Sequence, residues 1–176
     1  RDQLSPAAQT VARRLQDEDF KAFIVGGAVR DLLLGIPPKD FDIATDATPE
    51  QVKPLFRRAF VIGRRFRLVH VHVGGEAIEV STFRAAQTGD DATDEHGRLL
   101  SDNVYGSQAE DAMRRDFTIN ALYFDPATET IWDYVGGVVD IRARRLKLIG
   151  PPVTRFREDP VRLLRAVRLA AKLGLT

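Results

Sequence analysis

Asp40 and Asp42 flank Phe41, a few positions downstream of Gly26-Gly27-Ala28-Val29-Arg30-Asp31 and directly after Pro37-Pro38-Lys39. On a strand, residues i and i+2 share a face, so two such carboxylates can share one divalent cation or hold two. A glycine pair lets backbone N–H groups approach a phosphate. Glycines followed by paired acids specify metal-assisted transfer at phosphorus, nucleotidyl transfer above all, better than either element alone.

Two further constellations carry chemistry. In Arg114-Arg115-Asp116-Phe117-Thr118-Ile119-Asn120-Ala121, adjacent arginines suit a triphosphate, with Asp116 accepting from a ribose hydroxyl or assisting a metal. A surface ion pair is the plain alternative. In Arg157 to Arg168, Asp159 before Pro160 reads as a helix N-cap with proline at the first helical position. Arg162, Arg165, Arg168 and Lys172 then form a basic stripe, while Val161, Leu164, Val167 and Ala171 fall in another sector suited to packing the helix down. Asp159 and Arg162 are candidate partners for a base edge, Arg165 and Arg168 for phosphates or bases. The alternative is a capped amphipathic helix with a wet basic face.

These groups need a scaffold, and the pattern of the chain supplies an alternation of helix and strand. Pro6–Glu18 carries helical spacing at Val11, Ala12 and Leu15, and Ala22–Val25 is a strand ended by the glycine pair. Val29–Leu34 is a short helix stopped by Gly35 and the two prolines, and Asp40–Ala44 is the strand that carries both acids. Thr48-Pro49 opens a helix running to about Phe56, followed by a strand at Ala59–Ile62. Arg67–Val73 and Ala77–Phe83 alternate around Gly74-Gly75 as a hairpin, with Ile78, Val80 and Thr82 on one face. Glu79 lies on the other face and is a candidate third carboxylate, a lone exposed strand Glu being the alternative. Gln87–Arg98 reads as a polar loop with solvated acids. A helix at Gln108–Arg114 and strands at Ile131–Val135 and Leu146–Ile149 complete the pattern, with Asp133 and Gly136-Gly137 marking a turn.

Composition sets the outer bounds. With 176 residues, 44% of them hydrophobic and 29% charged, the chain is suited to one domain and the beginning of a second, without disorder. No apolar run approaches the ~20 residues of a membrane span, and the N-terminus lacks a signal-peptide pattern. The absence of Cys rules out disulfides and thiolate metal sites, which fits a cytoplasmic protein. The chain begins at Arg1 and ends just after a helical pattern, as a fragment of a longer protein would. The net charge is only +1, yet Arg142–Lys172 holds ten Lys/Arg against Glu158 and Asp159. That segment, and a second cluster of Arg57, Arg58, Arg64, Arg65 and Arg67, suit a polyanion, with a solvated charged face as the alternative.

Together the three motifs, in this order, resemble the class II nucleotidyltransferases, which comprise bacterial poly(A) polymerases and tRNA CCA-adding enzymes. The match covers about residues 20 to 175. Val61-Ile62-Gly63-Arg64-Arg65-Phe66-Arg67-Leu68-Val69-His70-Val71 is similar to a segment typical of the poly(A) polymerases, although Ala28 stands where these often carry a third glycine. The resemblance implies an α+β fold: a DNA polymerase β-like head with a mixed sheet and helices on one side (residues 20–150), preceded by an N-terminal helical extension (1–19) and followed by the start of an all-α neck (151–176). It implies that Asp40 and Asp42 hold Mg²⁺ (or Mn²⁺), with Glu79 a third candidate. Gly26, Gly27 and Arg30 would contact the triphosphate, and Arg115 and Asp116 the ribose and phosphates. Asp159, Arg162, Arg165 and Arg168 would select the nucleotide, and Arg64, Arg65 and Arg67 would meet RNA. The implied reaction is template-independent addition of AMP from ATP to an RNA 3′ end. Addition of CCA or its terminal A to tRNA shares the same head chemistry. A non-catalytic nucleotide- or RNA-binding module is a third reading, against which stand the retained acids. A zinc site on His70 and His72 lacks an evident third ligand.

Overall fold

The computed structural model describes residues 4–64, 67–85, 105–150 and 161–175. Its centre is a seven-stranded mixed sheet. The strands are β1 (Ala22–Val25), β2 (Asp42–Thr45), β3 (Ala59–Ile62), β4 (Leu68–Val73), β5 (Glu76–Thr82), β6 (Leu122–Asp125) and β7 (Thr130–Asp133), in the order β3-β4-β5-β2-β1-β6-β7. Among the described strands, only β2 and β5 pair in parallel. The β4–β5 turn has both glycines at positive φ, 57° at Gly74 and 81° at Gly75, the geometry a two-residue hairpin requires.

Among the described residues, six helices flank the sheet: α1 (Pro6–Asp17), α2 (Gly27–Leu33), α3 (Pro49–Val52), α4 (Gln108–Met113), α5 (Gly137–Arg142) and α6 (Val161–Leu173). Ser5 caps α1, accepting from the Ala8 N–H, and Pro6 occupies its first turn. Val11, Ala12 and Leu15, fully buried, join Ile24, Ile43, Val69 and Val80 in the main core. A second core occupies the opposite face of the sheet. There Phe23, Val25, Phe83 and Tyr123 pack with Ala112 of α4 and Ile149. Helices therefore cover parts of both faces, not one, because strand alternation presents an aromatic set on the side away from α1.

Several boundaries differ from those expected. Strand β2 begins at Asp42, so Asp40 precedes the strand instead of lying on it. The Thr48-capped helix shortens to four residues and passes into a 3-10 turn at Lys53–Leu55, since Pro54 cannot continue an α-helical hydrogen-bond ladder. Gly136-Gly137, expected to mark a turn, leads into the helix Gly137–Arg142; Asp133 accepts from the N–H groups of Val135, Gly136, Gly137 and Val138 and so starts the helix from outside it. Leu146–Ile149 contributes one isolated bridge, Leu148 to Phe117, instead of a strand. On α6 the packing sector is Ala166, Leu169, Ala170 and Leu173, while Val167 is 62% exposed and Ala171 is exposed. The i, i+3, i+4, i+7 spacing of that first set makes the broader stripe. The loop expected at 87–98 lies outside the described residues. Among the described residues, no helix is long and apolar enough to cross a membrane.

Candidate active site

Two depressions meet at the junction of α2, β2 and α6. One, of about 340 Å³, is lined by Gly27, Arg30, Lys39, Asp40, Asp42 and Lys172, among others. The other, of about 390 Å³, is lined by Arg30, Asp116, Asn120, Arg165, Arg168 and Lys172, with Phe117 and Leu169. Each is at the low end of small-ligand pockets, and shared Arg30 and Lys172 make them adjoining parts of one groove that carries several charged side chains.

The first depression is built around the strand ends. Gly26, at the end of β1, has φ 73° and ψ −138°, a conformation that disfavours any side chain, and α2 starts directly after it. A Cβ at Gly27 would stand 3.2 Å from Arg30 Nη2, so glycine leaves room for that guanidinium to fold back along its own helix. Arg30 is 9% exposed and donates to Asp31 (2.9 Å) and to Asn120 Oδ1 (2.8 Å), which fixes its orientation at the groove. Phe41 is buried in the main core, so the acids on either side of it both turn to the opposite face and line one pocket. The i, i+2 relation thus survives although Asp40 precedes the strand.

Asp42 sits in unfavourable surroundings for an anion. Burial, and then the charges of Glu79 and Asp40, push its pKa up to about 6 against the pull of Arg115 and His70. Glu79 is the residue paired with Asp42 across the parallel β2–β5 ladder, and its carboxylate lies 3.7 Å from His70 Nε2. Among the described residues, no three His, Asp or Glu side chains close into a ready-made metal cage. A hard cation such as Mg²⁺ does not need one. It is commonly held by one or two carboxylates together with substrate phosphates. Crowded acids on a pocket wall, one of them held partly neutral, form a donor set that such a cation fits.

The second depression lies between α2, the segment 116–120 and α6. Asp116 accepts from its neighbour's N–H at Phe117 (2.7 Å) and meets Arg165 Nη1 at 3.2 Å. Arg168 and Lys172 follow along the same helix and line the groove. Of the expected basic stripe, Arg165, Arg168 and Lys172 line this groove beside Asp116, and the side chain of Arg162 lies outside the described residues.

With this geometry in view, the comparisons with known proteins are consistent. Residues 22–147 match the family model of the poly A polymerase head domain. The chain belongs to that family. Poly(A) polymerase I of Escherichia coli O6:H1 is 55% identical over 181 residues, covering 99% of this chain and 39% of the relative. The CCA-adding enzyme of Bacillus pumilus is 41% identical over 164 residues, covering 93% and 40%. Among solved structures, the Bacillus stearothermophilus CCA-adding enzyme in complex with CTP matches with a TM-score of 0.81 at 39% identity, covering 98% of this chain and 41% of that one. The chain thus spans about two fifths of the length of the relatives it matches.

Within this poly A polymerase head, some expected site residues fall elsewhere or outside. Arg67 turns to Glu50, 2.5 Å away, instead of to the groove, because its neighbour Leu68 takes the other face of β4. Arg64 is exposed. Arg65, Asp159 and the side chain of Arg162 lie outside the described residues. Arg115 is placed close enough to Asp42 to lower its pKa, but its guanidinium is anchored in the head: it donates to Asp111 (3.0 Å and 3.2 Å) and to the Tyr123 hydroxyl (3.3 Å), lying 5.5 Å from that ring's centre.

Asp111 went unrecognised in the sequence and is the hub of this cluster. Only 1% exposed, it accepts from Arg114, Arg115, the Arg84 N–H and, at 2.5 Å, the Tyr123 hydroxyl. The two arginines, despite the burial that favours a proton on the carboxyl, hold its pKa below the ordinary value. Burial and the facing Arg114 bring the Arg84 guanidinium down to about 10. The signal was present in the spacing: Asp111 stands three and four residues before Arg114 and Arg115, the distances at which helical side chains meet. Nothing in the sequence pointed to Tyr123.

Proposed function

We propose that this chain is the catalytic head, residues 20–150, with the start of the helical neck, of an RNA 3′-end nucleotidyltransferase that adds AMP from ATP. The observation that carries the reading is the convergence of Asp40 and Asp42 with Gly27, Arg30 and Lys172 on one groove, continued by Asp116, Arg165 and Arg168. Asp40 and Asp42, with Glu79 as a further candidate, would hold Mg²⁺ or Mn²⁺. Such ions, when bound, lower the pKa of an attacking hydroxyl and neutralise charge on the phosphates.

The chain's own residues supply the remainder. Gly26 and Gly27 let the triphosphate approach the backbone, while Arg30, Lys39 and Lys172 surround it with positive charge. The RNA 3′-oxygen forms a bond to the α-phosphorus as the bond to the β-phosphate oxygen breaks and pyrophosphate leaves. Arg115, fixed by Asp111 and Tyr123, offsets the negative charge at Asp42 without competing for the groove. Asp116 is poised for the ribose, and Arg165, which now pairs with it, would turn to the incoming nucleotide. Asp159, Arg162, Arg165 and Arg168 form the selection surface. An unpaired buried donor or acceptor against the wrong base costs on the order of 1–3 kcal/mol, enough for choice without a template.

ATP polymerisation is favoured over CCA addition by the Val61–Val71 segment and by the higher identity to a poly(A) polymerase I than to a CCA-adding enzyme. The deciding experiment supplies the full-length protein with Mg²⁺, each NTP singly, and either unstructured RNA or tRNA lacking its 3′ end. Long A-tails on the unstructured primer are expected. A stop after one to three nucleotides on tRNA alone would assign tRNA maturation instead. Asp40→Ala should abolish incorporation of every nucleotide, and Asp159→Ala should degrade the choice among them.

A further inference from the structure

One register row crosses the entire sheet on the face away from α1: Phe60, His70, Glu79, Asp42, Val25, Tyr123 and Trp132, each the direct partner of the next. The row divides at Asp42. On one side Val25 and Tyr123 are buried under the second core. On the other, beyond Glu79, no described element covers the face of β4 and β3: Phe60 is 52% exposed, Ile62 42%, and the His70 side chain 36%. His72 lies two residues on from His70 on the same face, its ring 5.4 Å from Phe60 and nearly perpendicular to it (82°).

The nucleotide groove lies on the α2 and α6 side of Asp42. A second substrate whose end must reach Asp42 therefore has the β5–β4–β3 side as its open approach. At about 4.8 Å per strand, Phe60 is roughly 14 Å from Asp42, within the span of a few nucleotides. We propose that the exposed face of β3 and β4 is the track of the RNA 3′ end, with Phe60 and His72 forming the platform on which a base near the terminus stacks. This rests on the nucleotidyltransferase reading above. Aromatic platforms beside positive charge are the usual way to hold single-stranded RNA without reading its sequence. Arg57, Arg58 and Arg64, all exposed, bracket β3 and supply that charge for the backbone. Glu79 lies between platform and Asp42 and is unfavourable to a phosphate. Continuity with the catalytic acids and the charge of the strand ends favour RNA over an apolar protein partner.

The test uses the full-length protein and unstructured RNA. Phe60→Ala should raise the KM for RNA on the order of tenfold, with kcat at saturating RNA and the KM for ATP unchanged, and Phe60→Tyr should restore it. RNA carrying thiouridine next to its 3′ end should cross-link to the β3–β4 peptide. An unchanged KM for RNA in Phe60→Ala, or a cross-link elsewhere, overturns the proposal. So does protection of the platform by residues 86–104 or by a second copy of the chain in the presence of RNA. A wild-type protein inactive on every RNA removes the functional reading and this inference with it. An active wild type unaffected at Phe60 removes this inference alone.

Discussion

Asp42 shows most clearly how a residue suited to catalysis is unsuited to the bare fold. Its folded pKa of about 6 lies above the ordinary 3.8, so the folded state holds a proton that the unfolded chain releases between those values. A raised carboxyl pKa contributes its stability at low pH and loses it as pH rises through about 6. At neutral pH the ionised group therefore costs stability, at most about 3 kcal/mol and less where water reaches it. Asp42→Asn should stabilise the protein by about 1–2 kcal/mol at pH 7 without divalent cations, with the gain shrinking towards zero near pH 4. Urea unfolding at the two pH values measures this, and a gain independent of pH would show that the ionised carboxylate is not its source. Added Mg²⁺ should narrow the difference at pH 7 by stabilising the wild type alone.

At the scale of elements, the reading of the sequence succeeded where one local signal sufficed. Strands β1 and β3 were legible to the residue from apolar runs between breakers, and the hairpin from Gly74-Gly75. Apolar spacing located α1, and the Thr48 cap located the start of α3. Helix α5 was missed because glycine at its first residue argues against a helix, and only the fold reveals why glycine is there. A Cβ on Gly137 would stand 2.2 Å from the Thr118 carbonyl oxygen, which packs against the helix start. Thr118 in turn donates to the buried Asp140 of the same helix at 2.6 Å. This packing holds the 3-10 turn Thr118–Asn120 in place, and with it Asn120, the partner of Arg30. Gly137→Ala should thus cost about 1–3 kcal/mol, from overpacking against backbone that has little room to yield. It should also weaken ATP binding through Arg30, although residue 137 lines neither depression. Thermal unfolding and an ATP titration check both, and a variant destabilised but with unchanged ATP affinity would break the link to Arg30. The acids of the groove were legible because motif and spacing carry them. The Asp111–Tyr123 hydrogen bond was not, because it joins a helix to a strand twelve residues on, a separation that no local spacing rule marks.

In the whole molecule, the groove belongs to neither the head nor α6 alone. Lys172 and Leu173 wall one depression and Arg165, Arg168 and Leu169 the other, while Leu173 and Leu175 enter the main core of the head at 6% and 8% exposure. The apolar side of α6 thus anchors the helix whose basic side lines the groove. Packing and nucleotide affinity are coupled through one element, so loss of the anchor should appear in both. Leu173→Ala in the full-length protein should cost about 2–4 kcal/mol of stability from the cavity it leaves. It should also weaken ATP binding on the order of tenfold, because Lys172 and Arg168 are no longer held at the groove. Lys172→Ala serves as the contrast: exposed at the same turn, it should weaken ATP binding with stability nearly unchanged. Equilibrium dialysis with ATP beside denaturant unfolding separates the two effects. If Leu173→Ala lowered stability and left ATP affinity intact, α6 would be a packing element whose charges act independently of its docking.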